Sequence, residues 1–269
     1  VENNGAIVVN NQLKNTNGKY KFDLKELKNI LKDSPQKLSR AKLLILCSPH
    51  NPVGRVWEKE ELAELGKICL ENDVKILSDE IHADFVYEDN KHTPIASLNN
   101  ELGQNTLTFM APSKTFNIAG LNSSFVIIEN EKLRKEFMVN KNGLVGTGNI
   151  FGLVAMKAAY QNGEKWLSEQ LSYLNENMKF AVNYINENIP GITARKSEGT
   201  YLLWLDCKGL NLSDSQLEDF FINEANLALD PGLWFGQGGS GYMRMNLACP
   251  RSTLKKGLEN LKKAVRGDQ

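Results

Sequence analysis

Leu43-Leu44-Ile45-Leu46-Cys47 is the longest clean apolar run in the chain, and Ser48-Pro49-His50-Asn51-Pro52 stops it at once. Five apolar residues halted by two prolines and small polar residues read as a buried strand running into a turn. Residues 58–72 follow with Leu62, Leu65, Cys69 and Leu70 near one face, the spacing of a helix. Residues 74–78 are the next strand, and Thr106–Met110 and residues 124–128 are two more. A strand, a helix and a strand in succession predict a mainly parallel sheet covered by helices. Upstream, residues 6–9 read as a short apolar strand. Asp23 with Glu26 forms a capping-box pattern that opens a helix reaching Lys32.

The second half has a different character. Residues 150–160 are apolar and alanine-rich and predict a buried helix. A long helix over Glu164–Asn188 ends at Pro190-Gly191, a strong stop signal. Residues 192–196, 201–206 and 242–248 read as strands. Ser213 with Gln216 opens a helix over 213–225, and a last amphipathic helix starts near Ser252. Few strands among longer helices predict a smaller α+β domain. The division expected is a partial α/β large domain over residues 1–163 and a linking helix with a C-terminal small domain over 164–269.

The chain has 269 residues, 32 Lys and Arg against 32 Asp and Glu, and a formal net charge of zero. That balance argues against a nucleic-acid partner. A hydrophobic content of 41% is that of a globular protein rather than a disordered one. No apolar stretch nears the roughly 20 residues a membrane helix needs. Cys47, Cys69, Cys207 and Cys249 lie far apart and read as reduced thiols of a cytoplasmic protein. Cys47 and His50 have a ligand-like spacing, but no second pair completes a metal site.

Three polar signals fall directly after strands: Asn51, Asp79 and the pair Ser113-Lys114. Ligands of open α/β sheets bind at the carboxyl ends of strands, so these groups are candidates for one site. Taken singly each has a plainer reading. Asn51 between prolines suits a turn, Asp79 a cap, Lys114 a solvated loop, His82 a buried hydrogen-bonded ring and Arg244 a surface ion pair.

Taken together, Ser48-Pro49-His50-Asn51-Pro52-Val53-Gly54, Ser78-Asp79-Glu80-Ile81-His82 and Ala111-Pro112-Ser113-Lys114-Thr115-Phe116-Asn117 resemble fold-type I pyridoxal phosphate enzymes. Gly54-Arg55-Val56-Trp57, Trp234-Phe235-Gly236 and the run from Arg244 to Arg251 narrow the resemblance to the MalY/PatB group of cystathionine β-lyases, within the class I/II aminotransferase superfamily. The resemblance covers essentially the whole chain. It implies a three-layer large domain, pyridoxal 5'-phosphate as cofactor, a small amino-acid substrate and a homodimer. It implies that Lys114 holds the cofactor aldehyde and, once released, removes the substrate α-proton. Asp79 would keep the pyridine nitrogen protonated, and Asn51 and His82 would face the phenolic oxygen. Ser113 would donate to the phosphate, and Arg244 would fork onto the substrate α-carboxylate.

The activity implied is β-elimination from cystathionine or a cysteine S-conjugate to thiol, pyruvate and ammonia. Transamination is the enzymatic alternative, and a non-catalytic piece lacking part of the cofactor cage is the alternative of another class. Two departures from the family stand out. Asn122 occupies the position, eight residues after the lysine, where many aminotransferases carry a phosphate-binding arginine. The family's N-terminal portion, with its small-residue phosphate loop, has no counterpart before Asn51, which implies a truncated chain.

Overall fold

The computed structural model describes residues 1–32, 41–87, 90–146 and 148–267. The chain forms two compact units. Val1–Ser48, Trp57–Asp84 and His92–Asn162 make the first, and Pro49–Val56, Phe85–Lys91 and Gly163–Gln269 make the second.

In the first unit, β1 (Lys14–Thr16) and β2 (Lys19–Lys21) form an antiparallel hairpin. Asn17 and Gly18 take φ of 53° and 84°, the left-handed pair that a two-residue hairpin turn requires. The strand expected over residues 6–9 does not form. Ile7 is 87% exposed, and no described strand lies beside it to pair with. The Asn-Gly dipeptide was the signal for the true hairpin. Helix α1 (Leu24–Lys32) starts where Asp23 Oδ1 accepts the Glu26 N–H at 3.1 Å, and it buries Leu27 and Leu31.

The main sheet has the order β3 (Leu43–Cys47), β4 (Lys75–Asp79), β5 (Thr106–Met110), β6 (Phe125–Ile127). The β3–β4 and β4–β5 pairs are parallel and β6 is antiparallel, giving the mainly parallel α/β sheet the pattern predicts. Helix α2 (Lys59–Glu71) is opened by a Glu58/Glu61 capping box. It presses Leu62, Leu65, Ile68 and Cys69 into a core with Leu46, Trp57 and Ile76. Short helices α3 (Asn100–Asn105) and α4 (Pro112–Thr115) flank β5, and α5 (Glu131–Lys141) follows β6.

Two expectations of burial fail in this unit. In β3 only Leu46 is buried, whereas Leu43 and Ile45 on the opposite face are exposed. Helix α6 (Ile150–Asn162) forms, yet it buries only Gly152, with Ile150 71% and Phe151 76% exposed. Apolarity makes a surface worth covering, but burial needs an element to cover it. Among the described residues none does. Gly152 is the exception because a Cβ there would lie 1.9 Å from the Ser123 hydroxyl oxygen.

The second unit begins with α7 (Glu164–Asn188). Its antiparallel sheet has the order β7 (Thr193–Ala194), β8 (Leu202–Asp206), β10 (Tyr242–Asn246), β9 (Asp230–Pro231). Helix α8 (Asp214–Asp219) opens on the Ser213/Gln216 box and continues into a wider turn over Phe220–Glu224. Helix α9 (Arg251–Arg266) ends at Gly267. Met178, Ile185, Leu203, Leu205, Phe221, Met243 and Leu258 share one core. Asn177 is fully buried there and satisfied. Its Nδ2 donates to the Leu247 and Cys249 carbonyls at 3.1 and 3.0 Å, and its Oδ1 accepts from Arg251 Nε at 2.7 Å.

Candidate active site

Parallel neighbours end on the same edge of a sheet, so the segments leaving β4 and β5 are brought side by side. Asp79 is the last residue of β4, one position earlier than the sequence suggests, and stands opposite Phe109 of β5. Its Oδ1 accepts the Ile81 N–H at 3.2 Å, and its carbonyl accepts the Ser48 N–H at 2.9 Å. Burial raises its carboxyl above the usual range. The Ile81 N–H opposes that shift, Glu80 adds to it, and the Lys114 ammonium also opposes it. Lys114 and Ser113, both half-buried, sit on α4, whose start at Pro112 comes one residue after β5. Asp79 and Lys114 are therefore electrostatic neighbours.

The turn after β4 carries His82, which is buried. Thr115 Oγ1 donates to Asp84 Oδ2 at 2.7 Å and ties α4 to this turn. Glu80 is the residue sequence reasoning missed. Its carboxylate is buried, with Oε1 accepting from Ser78 Oγ at 2.8 Å and Oε2 lying 2.7 Å from His92 Nε2. The acid next to Asp79 was visible, but its partner 12 residues on was not. This pairing fixes the backbone from which Asp79 projects.

The second unit assembles a different pair. The loop Pro49–Val56 closes on residues 197–199. Gly54 has φ of 68°, and a Cβ there would lie 2.4 Å from Ser197 Cβ, so both conformation and space demand glycine. Its carbonyl accepts the Glu198 and Gly199 N–H groups at 2.9 and 3.0 Å. Arg55, 4% exposed, ion-pairs with Glu198, whose Oε2 also accepts the Val56 N–H at 2.9 Å. His50, in the same loop, is held neutral. Burial, then the Arg55 guanidinium, lowers its pKa from 6.5 to about 4.

So anchored, the loop places Asn51 Oδ1 2.8 Å from Arg244 Nη1, which donates to it. Arg244 sits mid-strand in β10, between Trp204 on β8 and Asp230 on β9. Its Nε and Nη2 donate to Asp230 Oδ2 at 3.0 and 2.6 Å, and its guanidinium lies 4.6 Å from the Phe235 ring centre. The sequence reading had neither Asp230 nor a role for Phe235 beside Arg244. Only the β9–β10 register reveals the acid.

The predicted residues thus fall into two groups: Asp79, His82, Ser113 and Lys114 in the first unit, Asn51 with Arg244 in the second. Asn122 is exposed with φ of 48°, a left-handed position that asparagine tolerates. Among the described residues, no cluster of His, Cys, Asp and Glu could hold a metal ion.

Residues 1–261 match the family described as Aminotransferase class I and II. The chain belongs to this family. Within it, the chain is 40% identical to cystathionine β-lyase PatB of Bacillus subtilis over 267 residues, which are 98% of this chain and 67% of PatB. The pyridoxal-phosphate-bound structure of a candidate aminotransferase from Clostridium difficile 630 is 48% identical with a TM-score of 0.93. It covers 98% of this chain and 67% of that one. A pyridoxal-phosphate-bound C–S lyase from Staphylococcus hominis is 36% identical with a TM-score of 0.90, covering 99% of this chain and 68% of its own. The chain spans about two thirds of the length of these relatives. The fold is that of the family, an α/β unit with a mainly parallel sheet and a smaller α+β unit.

Proposed function

We propose that the protein is a pyridoxal-phosphate-dependent carbon–sulfur β-lyase acting on cystathionine or related cysteine S-conjugates. The observation that carries this reading is the Asp79–Lys114 neighbourhood at the ends of two adjacent parallel strands. The donor set there suits the cofactor. A carboxylate whose charge is disfavoured by burial is matched by a protonated ring nitrogen, a primary amine by an aldehyde, and a hydroxyl on Ser113 by a phosphate. When bound, pyridoxal phosphate supplies an electron sink for negative charge developing at the substrate α-carbon.

The chain's own residues do the rest. Asp79 holds a proton on the ring nitrogen, and Asn51 and His82 serve the phenolic oxygen. Lys114 Nζ would anchor the aldehyde and, once released, would take the α-proton as general base. Arg244 orients the substrate carboxylate. With the α-proton held on Lys114, the substrate's Cβ–S electron pair would leave on sulfur, and water would complete the conversion to thiol, pyruvate and ammonia. On this reading the cofactor groups lie before residue 163 and the carboxylate-binding arginine after it.

The likeness to the Clostridium difficile structure favours a second reading, transamination, which shares the α-proton step. Incubation with a cysteine S-conjugate separates the two. Free thiol and pyruvate without an acceptor keto acid support the lyase, and turnover only with an acceptor overturns it. Borohydride reduction and peptide mapping are expected to place the cofactor on Lys114, and a lack of visible cofactor absorbance would favour the non-catalytic reading. We further propose a homodimer, supported by the exposed apolar residues of α6, and a cytoplasmic location, supported by four free cysteines. Burial pushes the Cys69 thiol up to about 12, which keeps it unreactive. Sedimentation of active protein as a monomer would contradict the dimer.

A further inference from the structure

We infer that Asp230 is a positioning residue for Arg244, setting how tightly the protein takes a substrate carboxylate. This rests on the reading of Arg244 as the carboxylate-binding group. A guanidinium has five N–H donors in a fixed plane. Asp230 Oδ2 takes two of them, from Nε and Nη2, and Asn51 Oδ1 takes one from Nη1. The Phe235 ring lies against the group at 4.6 Å. One N–H on each terminal nitrogen remains for a ligand.

The arrangement is built into the sheet. Asp230 and Arg244 are direct cross-strand partners of β9 and β10, so their side chains leave the same face at short range. Aspartate is short enough to close on the inner edge of the guanidinium from that position. It stops rotation about the end of a long flexible side chain before any ligand arrives, which is the advantage of preorganisation. It also offsets the cationic charge, so the remaining donors select by geometry and favour a planar carboxylate over anions at large. The opposite role, an internal carboxylate competing with substrate for the arginine, makes the contrary prediction for the same variants.

The test uses the cofactor-loaded protein with Asp230→Ala, Asp230→Asn and Arg244→Lys. KM and kcat are measured for a cysteine S-conjugate, together with inhibition by propionate, a carboxylate with no amine. Positioning predicts that Asp230→Ala raises KM and the propionate inhibition constant each about tenfold, with kcat and cofactor content little changed. Asp230→Asn keeps an acceptor oxygen in place and recovers most of the loss. Unchanged or tighter binding in Asp230→Ala overturns the inference. Should Asp230→Ala fail to fold, Asp230→Asn decides alone: about threefold weaker propionate binding, because a neutral amide oxygen holds the guanidinium less firmly than a carboxylate, supports positioning, and wild-type or tighter binding overturns it. Arg244→Lys keeps the two ideas apart. If it leaves KM and propionate inhibition unchanged, the reading of Arg244 itself fails, and the inference falls with it. If it weakens both while Asp230→Ala does not, only the role of Asp230 falls.

Discussion

In the second unit, α7 turns Met178, Ala181 and Ile185 into the core that holds Leu203, Leu205 and Met243, and all are buried. In the first unit, α6 is at least as apolar and buries only Gly152. The two helices teach that an apolar sequence states a demand, and neighbours decide whether it is met. The units also divide the proposed chemistry. The first carries Asp79, His82, Ser113 and Lys114, assigned to the cofactor, and the second carries Asn51, also assigned to the cofactor, with the arginine assigned to the substrate. Each division can be broken by a variant.

The largest effect is expected from Lys114→Ala. Loss of both anchor and base should lower turnover by about a thousandfold or more, with thermal stability little altered. Retained elimination would remove the first unit from the chemistry. Next, Phe221→Ala, in the buried core of the second unit, should cost about 3–5 kcal/mol in denaturant unfolding. Asp79→Ala should slow elimination by about 3 kcal/mol in activation free energy, the upper end for a charge-assisted contact. Elimination rate and thermal midpoint measured together test this, and an unchanged rate with lost stability would make Asp79 structural.

Acid probes the second unit through His50. Folding favours neutral His50, whose pKa falls from 6.5 to about 4. Its stabilisation is complete above pH 6.5 and is lost as pH falls from there toward 4, at most about 3 kcal/mol in all. His50→Gln should flatten thermal midpoints over that window, and an unchanged acid slope would show that His50 is not the titrating group. The smallest effect belongs to Phe151→Ala on α6, measured at a dilution where the protein sediments as a monomer, within about 0.5 kcal/mol for an exposed side chain. A loss as large as that at Phe221 would show that α6 is covered in solution, and would erase the contrast between the units.

Much of this was legible beforehand because it is local. The strands Leu43–Cys47 and Thr106–Met110, the helix Glu164–Asn188 and the Ser213/Gln216 box arise from runs, stop signals and caps within a few residues. The hairpin at Asn17-Gly18 was local too, and was overlooked in favour of the apolar residues 6–9. Burial of Leu43, Ile45 and α6 was not legible, since side-chain exposure depends on what packs alongside.

The sequence by itself determined that strands β3, β4 and β5 would each end in a polar signal, and which residue types those would be. Their alternation with helices made the sheet mainly parallel, and parallel strands deliver their succeeding loops to one edge. Only the tertiary structure decided the partners. Glu80 meets His92 across 12 residues, Arg55 meets Glu198 across 143, and Arg244 meets Asn51 across 193. Asp230 reaches Arg244 through a strand of two residues, too short to carry a periodic signal. The reason is physical. Periodicity and capping act over one or two turns of chain, whereas a charge is satisfied by any group the fold brings within about 3 Å of it.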